Sequence, residues 1–312
     1  MENLIISINC VIPVFIMICT GAMIRTVYQV PKEFFDRLST LCFQVLLPFM
    51  LFDNICAADL STSFDPKLLL FLGVGVVGWF VIGYGLLTFL VPDPKVRGTY
   101  IQCWFRSNIG VVGVAMARSM MDDAGVATVT MAVALLAPLY NVLAIVALET
   151  CRGGKVNLKH ALVSIAKNNI VRSCLLGILF LLLDVPVPSA IMKGIGSVGD
   201  AGSVMTMVAL GASLRFDGMR SNRKRVSVGV LLRLVVAPLA FTSAAVLLGF
   251  RGNALGAVLL TSASPMASTS YAMALACDSD HELTGQLVVT TSFFCCLTLF
   301  LWIFFYKQMG ML

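Results

Sequence analysis

The 312-residue chain is 59% hydrophobic and only 12% charged, against roughly 45–50% and about 25% in soluble domains. Its charges sit in short stretches between apolar runs about twenty residues long, which excludes a soluble globular protein and indicates an integral membrane protein. The net charge of +6 therefore reports orientation in a bilayer, not nucleic-acid binding.

Ten apolar spans are predicted, near 4–24, 38–58, 67–91, 99–120, 126–149, 169–185, 190–213, 227–249, 254–277 and 284–306. Each has close to the twenty residues an α-helix needs to cross about 30 Å of hydrocarbon. The first follows Glu2 and Asn3, not a basic stretch, so no secretory leader is expected. The second carries Pro48, Asp53 and Asn54. The fourth is interrupted at Arg106-Ser107-Asn108-Ile109-Gly110, and the fifth carries Pro138, Tyr140 and Asn141. The seventh is the weakest, with Lys193, Asp200 and five glycines; it must be buried in a bundle, line a cavity or lie at the interface, the last giving nine spans. The ninth is interrupted at Ser262-Ala263-Ser264-Pro265. Ten cysteines fall mostly inside apolar runs without paired spacing and read as small hydrophobes, with no disulfide or metal expected. Asp278-Ser279-Asp280-His281-Glu282 reads as a cap for the tenth span and not as a metal site.

Charge asymmetry selects among these counts. With ten spans and both termini outside, the inner loops hold fifteen Lys/Arg and the outer loops and termini five. Nine spans would place a large basic loop, 150–172 or 214–225, on the outside, against the positive-inside rule. The basic stretch Arg152–Lys167 divides the ten spans into five and five. An odd number per half makes the second half insert upside down, giving two inverted repeats, 1–155 and 156–312, with the interrupted span fourth in each.

Matched interruptions are the best sequence pointer to a transport site, because a helix broken in a bilayer frees N–H and C=O groups that lipid cannot satisfy. Asn108, Ser107 and Gly110 weaken the fourth span, and Pro265 removes a donor from the ninth. Opened helix ends present free N–H groups suited to a carboxylate. Ser107, Asn108, Gly110, Ser264, Pro265 and Ser268 are candidate substrate contacts, with Asn141 supporting them. Arg106 either attracts an entering anion or snorkels to the inner interface, and Arg233 is expected to snorkel. Asp53 and Asp200, placed in the outer third of the membrane, are either a shared vestibule for H⁺ or Na⁺ or helix-end residues meeting water.

These residues resemble the auxin efflux carrier family of secondary transporters, bacterial type. Arg106 to Gly110 with Gly113 is similar to that family's fourth-span signature, and Ser264-Pro265-Met266-Ala267 through Tyr271-Ala272-Met273-Ala274 to its ninth-span counterpart. Leu47-Pro48 through Phe52, Pro138 through Asn141 and Leu210 through Leu214 fit as well. The resemblance implies an all-α integral membrane fold of ten transmembrane helices in two inverted five-helix repeats. Helices four and nine would be broken and cross at mid-membrane, as in bile-acid symporters and Na⁺/H⁺ antiporters. Helices one, two, six and seven would form a scaffold, and the rest a moving transport domain. Its cargo class would be small carboxylates such as malate or malonate, or auxin in plant relatives. This chain departs from the pattern at Ala115 and near Ser203, where the family carries prolines, and it lacks the plant carriers' long loop, as expected of a prokaryotic member.

The expectation is a non-enzymatic secondary transporter of a small mono- or dicarboxylate in the cytoplasmic membrane. It would use no cofactor beyond a coupling H⁺ or Na⁺, bind no nucleic acid, and have a homodimer as a candidate assembly. A Na⁺ symporter of larger amphipathic anions is the nearest alternative. A membrane-embedded enzyme would need paired carboxylates at bilayer depth, and a sensor would bind without flux.

Overall fold

The computed structural model describes residues 2–56, 65–152, 163, 167–183, 185–213 and 222–312, with side chains described from residue 12 onward except residue 14. The 155/156 repeat boundary, the centre of the basic stretch 150–168, and residues 214–221 with Leu214 lie outside them. The described residues are helical throughout, apart from turns and one isolated bridge.

Each predicted span has a helical counterpart. In chain order these are α1 (Glu2–Val27), α2 (Lys32–Cys56), α3 (Pro66–Leu90), α4a (Pro94–Phe105) with α4b (Ile109–Met120), and α5 (Asp123–Cys151). They continue with α6 (Asn169–Leu182), α7 (Ser189–Ser213), α8 (Arg223–Leu247), α9a (Gly252–Ala263) with α9b (Ser270–Ala276), and α10 (His281–Gln308). Among the described residues, six helices are long and apolar enough to cross a membrane: α2, α3, α5, α7, α8 and α10. The starts are written in the sequence. Asp65, Asp93, Asp122, Asn168 and Asp280 each accept a backbone N–H one to two residues into the helix that follows, and Pro66 and Pro94 occupy first helical positions where no N–H is needed.

The helices are apolar on both faces, as a bilayer requires. In α3, Leu68, Leu72, Val76, Phe80 and Leu87 form the buried stripe, while Leu70, Val74, Val81 and Leu90 point outward and are exposed. Two internal prolines are handled alike. Pro48 and Pro238 each follow a five-residue π-turn, Cys42–Leu46 and Leu232–Val236. Each proline leaves the carbonyl four residues back without its usual donor. Asn169 Nδ2 donates to Gln44 O at 2.8 Å and Trp302 Nε1 donates to Leu234 O at 3.0 Å.

Packing sorts the helices into two bundles. α1, α2, α6 and α7 pack on one another, and α3, α4, α5, α8, α9 and α10 form the second bundle. The glycines of α7 account for the first bundle's closeness. A Cβ at Gly211 would lie 1.9 Å from Ile18 O, and one at Gly21 1.9 Å from Val208 O, so α1 and α7 cross backbone to backbone. Gly199 and Gly202 do the same against Met50 and Leu46 of α2. The polar, glycine-rich seventh span is thus a full transmembrane helix buried in a bundle.

Candidate functional site

The two broken helices meet where their unwound segments run past each other. Helix α4a stops at Phe105 because Arg106 turns extended (ψ 116°), and α9a stops at Ala263 because Ser264 does (ψ 150°). Ser107 and Met266 pair as an antiparallel bridge, and Asn108 N donates to Pro265 O at 2.9 Å. An unbroken helix would give the Asn108 N–H to Trp104. The freed Trp104 carbonyl accepts instead from Trp79 Nε1 at 3.0 Å, while Trp104 Nε1 donates to Trp79 O at 2.8 Å across stacked indoles 4.4 Å apart. Gly83 makes this stack possible, since a Cβ there would fall 2.3 Å from the Trp104 ring.

At the second break Pro265 cannot donate to Thr261, and the opened turn frees the Ser264 carbonyl. Arg233 of α8 meets both: Nε donates to Ser264 O at 2.9 Å and Nη2 to Thr261 O at 3.2 Å. It is 1% exposed. The expectation that it snorkels is overturned, because a cation beside the C-terminal carbonyls of α9a is worth more than one in the interface. Thr291 of α10 closes the turn, its Oγ1 accepting from Met266 N at 3.1 Å.

Arg106 is likewise 1% exposed and does not snorkel. Its Nη1 donates to Gln102 Oε1 (3.1 Å) and Ser270 Oγ (3.2 Å) and touches Met273 Sδ (2.7 Å). Nη2 donates to Asn141 Oδ1 (2.6 Å) and Thr269 Oγ1 (2.7 Å). Every one of these partners is neutral, and among the described residues no carboxylate pairs with it. Asn141 therefore finds its partner in the guanidinium and not in opened backbone, with its Nδ2 donating to Ala137 O.

Beside the crossing lies a cavity of about 260 Å³ between the two bundles. The second bundle contributes Arg106, Ser107, Asn108, Gly110, Asn141, Tyr140, Ser268 and Thr269, and the first contributes Met50, Asn54, Asp200 and Ser203. Ser107 Oγ and Asn108 Nδ2 are buried at this wall with no hydrogen-bond partner. The first N–H groups of α4b, at Ile109 and Gly110, begin a helix here and have no partner within it. The wall thus carries one cation, an orphaned amide and hydroxyl, and backbone donors. Asn54, Gly110, Val111 and Asp200 are exposed, so the cavity opens toward the end of the bundle that carries the termini; toward the other end α9b packs against α2 and α7.

Ser264 and Pro265 are fully buried and outside the cavity wall. The Ser264 hydroxyl bonds back to Leu260 O at 2.6 Å, so both hold the crossing and do not face the cavity. Asp200 is placed deeper than the outer third, near the middle of α7, and lines the cavity; the Asp53 carboxylate packs against Gly196, one turn before it on α7. Gln102 and Met273 were not among the sequence candidates. Gln102 had a readable signal, standing one helical turn before Arg106.

Comparison with known proteins places this geometry. The model of the family described as "Membrane transport protein" matches residues 6–156 and again residues 154–303. An uncharacterized transporter of Methanocaldococcus jannaschii is 22% identical over 307 residues, 95% of this chain and 98% of that protein. Auxin efflux carrier component 6 of Arabidopsis thaliana is 28% identical over 131 residues, 40% of this chain but 23% of the plant protein's length. The solved sodium proton antiporter of Methanocaldococcus jannaschii at pH 8 has a similar fold, with a TM-score of 0.64 at 11% identity over 92% of this chain and 91% of that one. The chain belongs to the membrane transport protein family, the family of the auxin efflux carriers.

Proposed function

We propose that this membrane transporter moves a small organic anion, a mono- or dicarboxylate, by alternating access at the crossing of α4 and α9. The observation that carries the reading is Arg106, a buried guanidinium held only by neutral acceptors beside two orphaned donors, Ser107 Oγ and Asn108 Nδ2. A buried cation is costly unless an anion pairs with it, and an entering carboxylate supplies that charge while satisfying the donors. Ser268 and Gly110 line the same wall, and Asn141 keeps the guanidinium in place.

In this reading α1, α2, α6 and α7 stand still while the bundle carrying Arg106 moves against them. Asp53 and Asp200, on the static side, take the coupling H⁺ or Na⁺. The protein sits in a cytoplasmic membrane with both termini outside, as the fifteen-to-five loop charge bias requires, so the cavity described above is outward-open. Uptake of labelled small carboxylates into proteoliposomes tests the proposal. Saturable uptake that Asn108→Ala weakens is the expected result; undiminished uptake in that variant would remove the site assignment.

A further inference from the structure

Four charged residues deep in the described spans are sorted by bundle. Arg106 and Arg233 belong to one bundle, and Asp53 and Asp200 to the other. Two of the four, Arg106 and Asp200, line the same cavity from opposite sides. We propose that Asp200, set across the cavity from Arg106, makes the site selective for monocarboxylates over dicarboxylates. This rests on the anion-site reading above and narrows it.

The argument is one of length and charge. A carboxylate that satisfies Arg106, Ser107 Oγ and Asn108 Nδ2 lies against the α4 wall. Arg106 and Asp200 line one small cavity of about 260 Å³, so charges within it are spaced on the order of a Debye length in physiological salt. The other end of a ligand therefore lies in the incompletely screened field of Asp200. The uncharged groups available there, Asn54 and Ser203, serve a hydroxyl, a carbonyl or an apolar tail equally well. A second carboxylate meets like charge and no cation.

The test compares butyrate with succinate, which have the same chain length, at neutral pH where every carboxyl of both is ionised. Each is titrated against the purified full-length protein and read as thermal stabilisation, in Na⁺ and again in choline buffer. The native protein is expected to bind butyrate more tightly than succinate, and Asp200→Asn to shrink that ratio by about tenfold, the effect of relieving one close like-charge contact. Asp200→Glu should keep the native ratio, which a merely structural role for Asp200 does not explain. Should Asp200→Asn fail to fold, Asp53→Asn, which weakens the same field from further away, is expected to shift the ratio in the same direction by less. A native preference for succinate, or an unchanged ratio in Asp200→Asn while Asn108→Ala still weakens binding of both probes, overturns the charge filter and leaves the anion site standing. No stabilisation of the native protein by either probe overturns the anion-site reading and the filter with it.

Discussion

The two breaks do the same geometric work and differ in what they leave over. Around Pro265 the Thr261 and Ser264 carbonyls are held by Arg233, the Met266 N–H by Thr291, and the hydroxyls of Ser262 and Ser264 bond back into α9a; the unpaired Thr261 hydroxyl is buried away from the cavity wall. Around Asn108 the carbonyl side is closed by Trp79, but Ser107 Oγ and Asn108 Nδ2 stay unpaired beside a guanidinium without a counter-ion. Satisfied polar groups make structure, and unsatisfied ones at a cavity wall make a binding site. In the proposed reading the ninth helix braces the crossing, and the fourth supplies most of the groups that bind.

The largest test of this contrast is Arg233→Met. It leaves two buried carbonyls without donors, at roughly 1–3 kcal/mol for each unsatisfied acceptor. The expected outcome is loss of folded protein in detergent, measured as a collapse of the monodisperse peak or a large fall in Tm. Arg106→Gln should behave differently, because its acceptors are hydroxyls and amides that can bond each other or water. It should fold and lose anion-dependent stabilisation. Equal destabilisation by the two substitutions would erase the distinction between a clamping and a binding arginine.

A sharper pair is Asn108→Ala against Pro265→Ala. Asn108→Ala removes an amide with no protein partner, so it should lower anion affinity at least about tenfold, the worth of one charge-directed hydrogen bond, with little change in Tm. Pro265→Ala restores an N–H but not the helix, since Arg233 and the bridge to Ser107 hold the segment open. Its affinity should stay close to native. A titration of both variants with one carboxylate decides the matter.

The contrast also explains what could be read from the chain. The spans were legible because hydropathy and Asp-Pro starts are local signals, and the crossing was legible because its breakers, Asn108, Gly110 and Pro265, lie within the segments they break. The first break needs no proline at Ala115, which sits inside α4b: the competing hydrogen bonds around Asn108 and the Trp79 indole donor suffice. Arg233 was misplaced because depth along a helix does not reveal that two freed carbonyls stand beside it, 28 and 31 residues away in sequence. Asp200 was misplaced for the same kind of reason: its neighbours across the bundle gap belong to α2 and α4. The strongest sequence signal, proline, marked the structural half of the crossing, and the weaker one marked the half with free donors.

Trp79→Phe tests the quieter closure. It keeps the ring stack and deletes one indole N–H, leaving the Trp104 carbonyl unpaired at a cost of about 1 kcal/mol or somewhat more. The expected result is a modest fall in Tm with anion affinity reduced in proportion to how far the Arg106 segment relaxes. A fall as large as that of Arg233→Met would mean that a neutral donor and a guanidinium hold their breaks equally.

The smallest effect concerns the ties that join the half-helices at opposite ends of the bundle. Where α4a begins, Lys95 pairs with Asp278 in the α9b–α10 loop at 2.8 Å; where α4b ends, Asp122 accepts from Asn253 of α9a at 2.8 Å. The Lys95 ammonium holds the Asp278 carboxyl below the usual range, and the Gly125 N–H followed by the Asn253 amide does the same for Asp122. A carboxyl whose folded-state value is depressed stabilises the fold fully above its unfolded value, near 3.9, and loses that contribution as pH falls through the folded one. Tm should therefore dip slightly below about pH 4. Salt separates the two ties: the exposed Lys95–Asp278 pair should weaken as ionic strength rises, while the Asp122–Asn253 bond, having one neutral partner, should hold. An acid dip that survives both high salt and Asp278→Asn would then belong to the α5 cap at Asp122, on the side where the cavity opens.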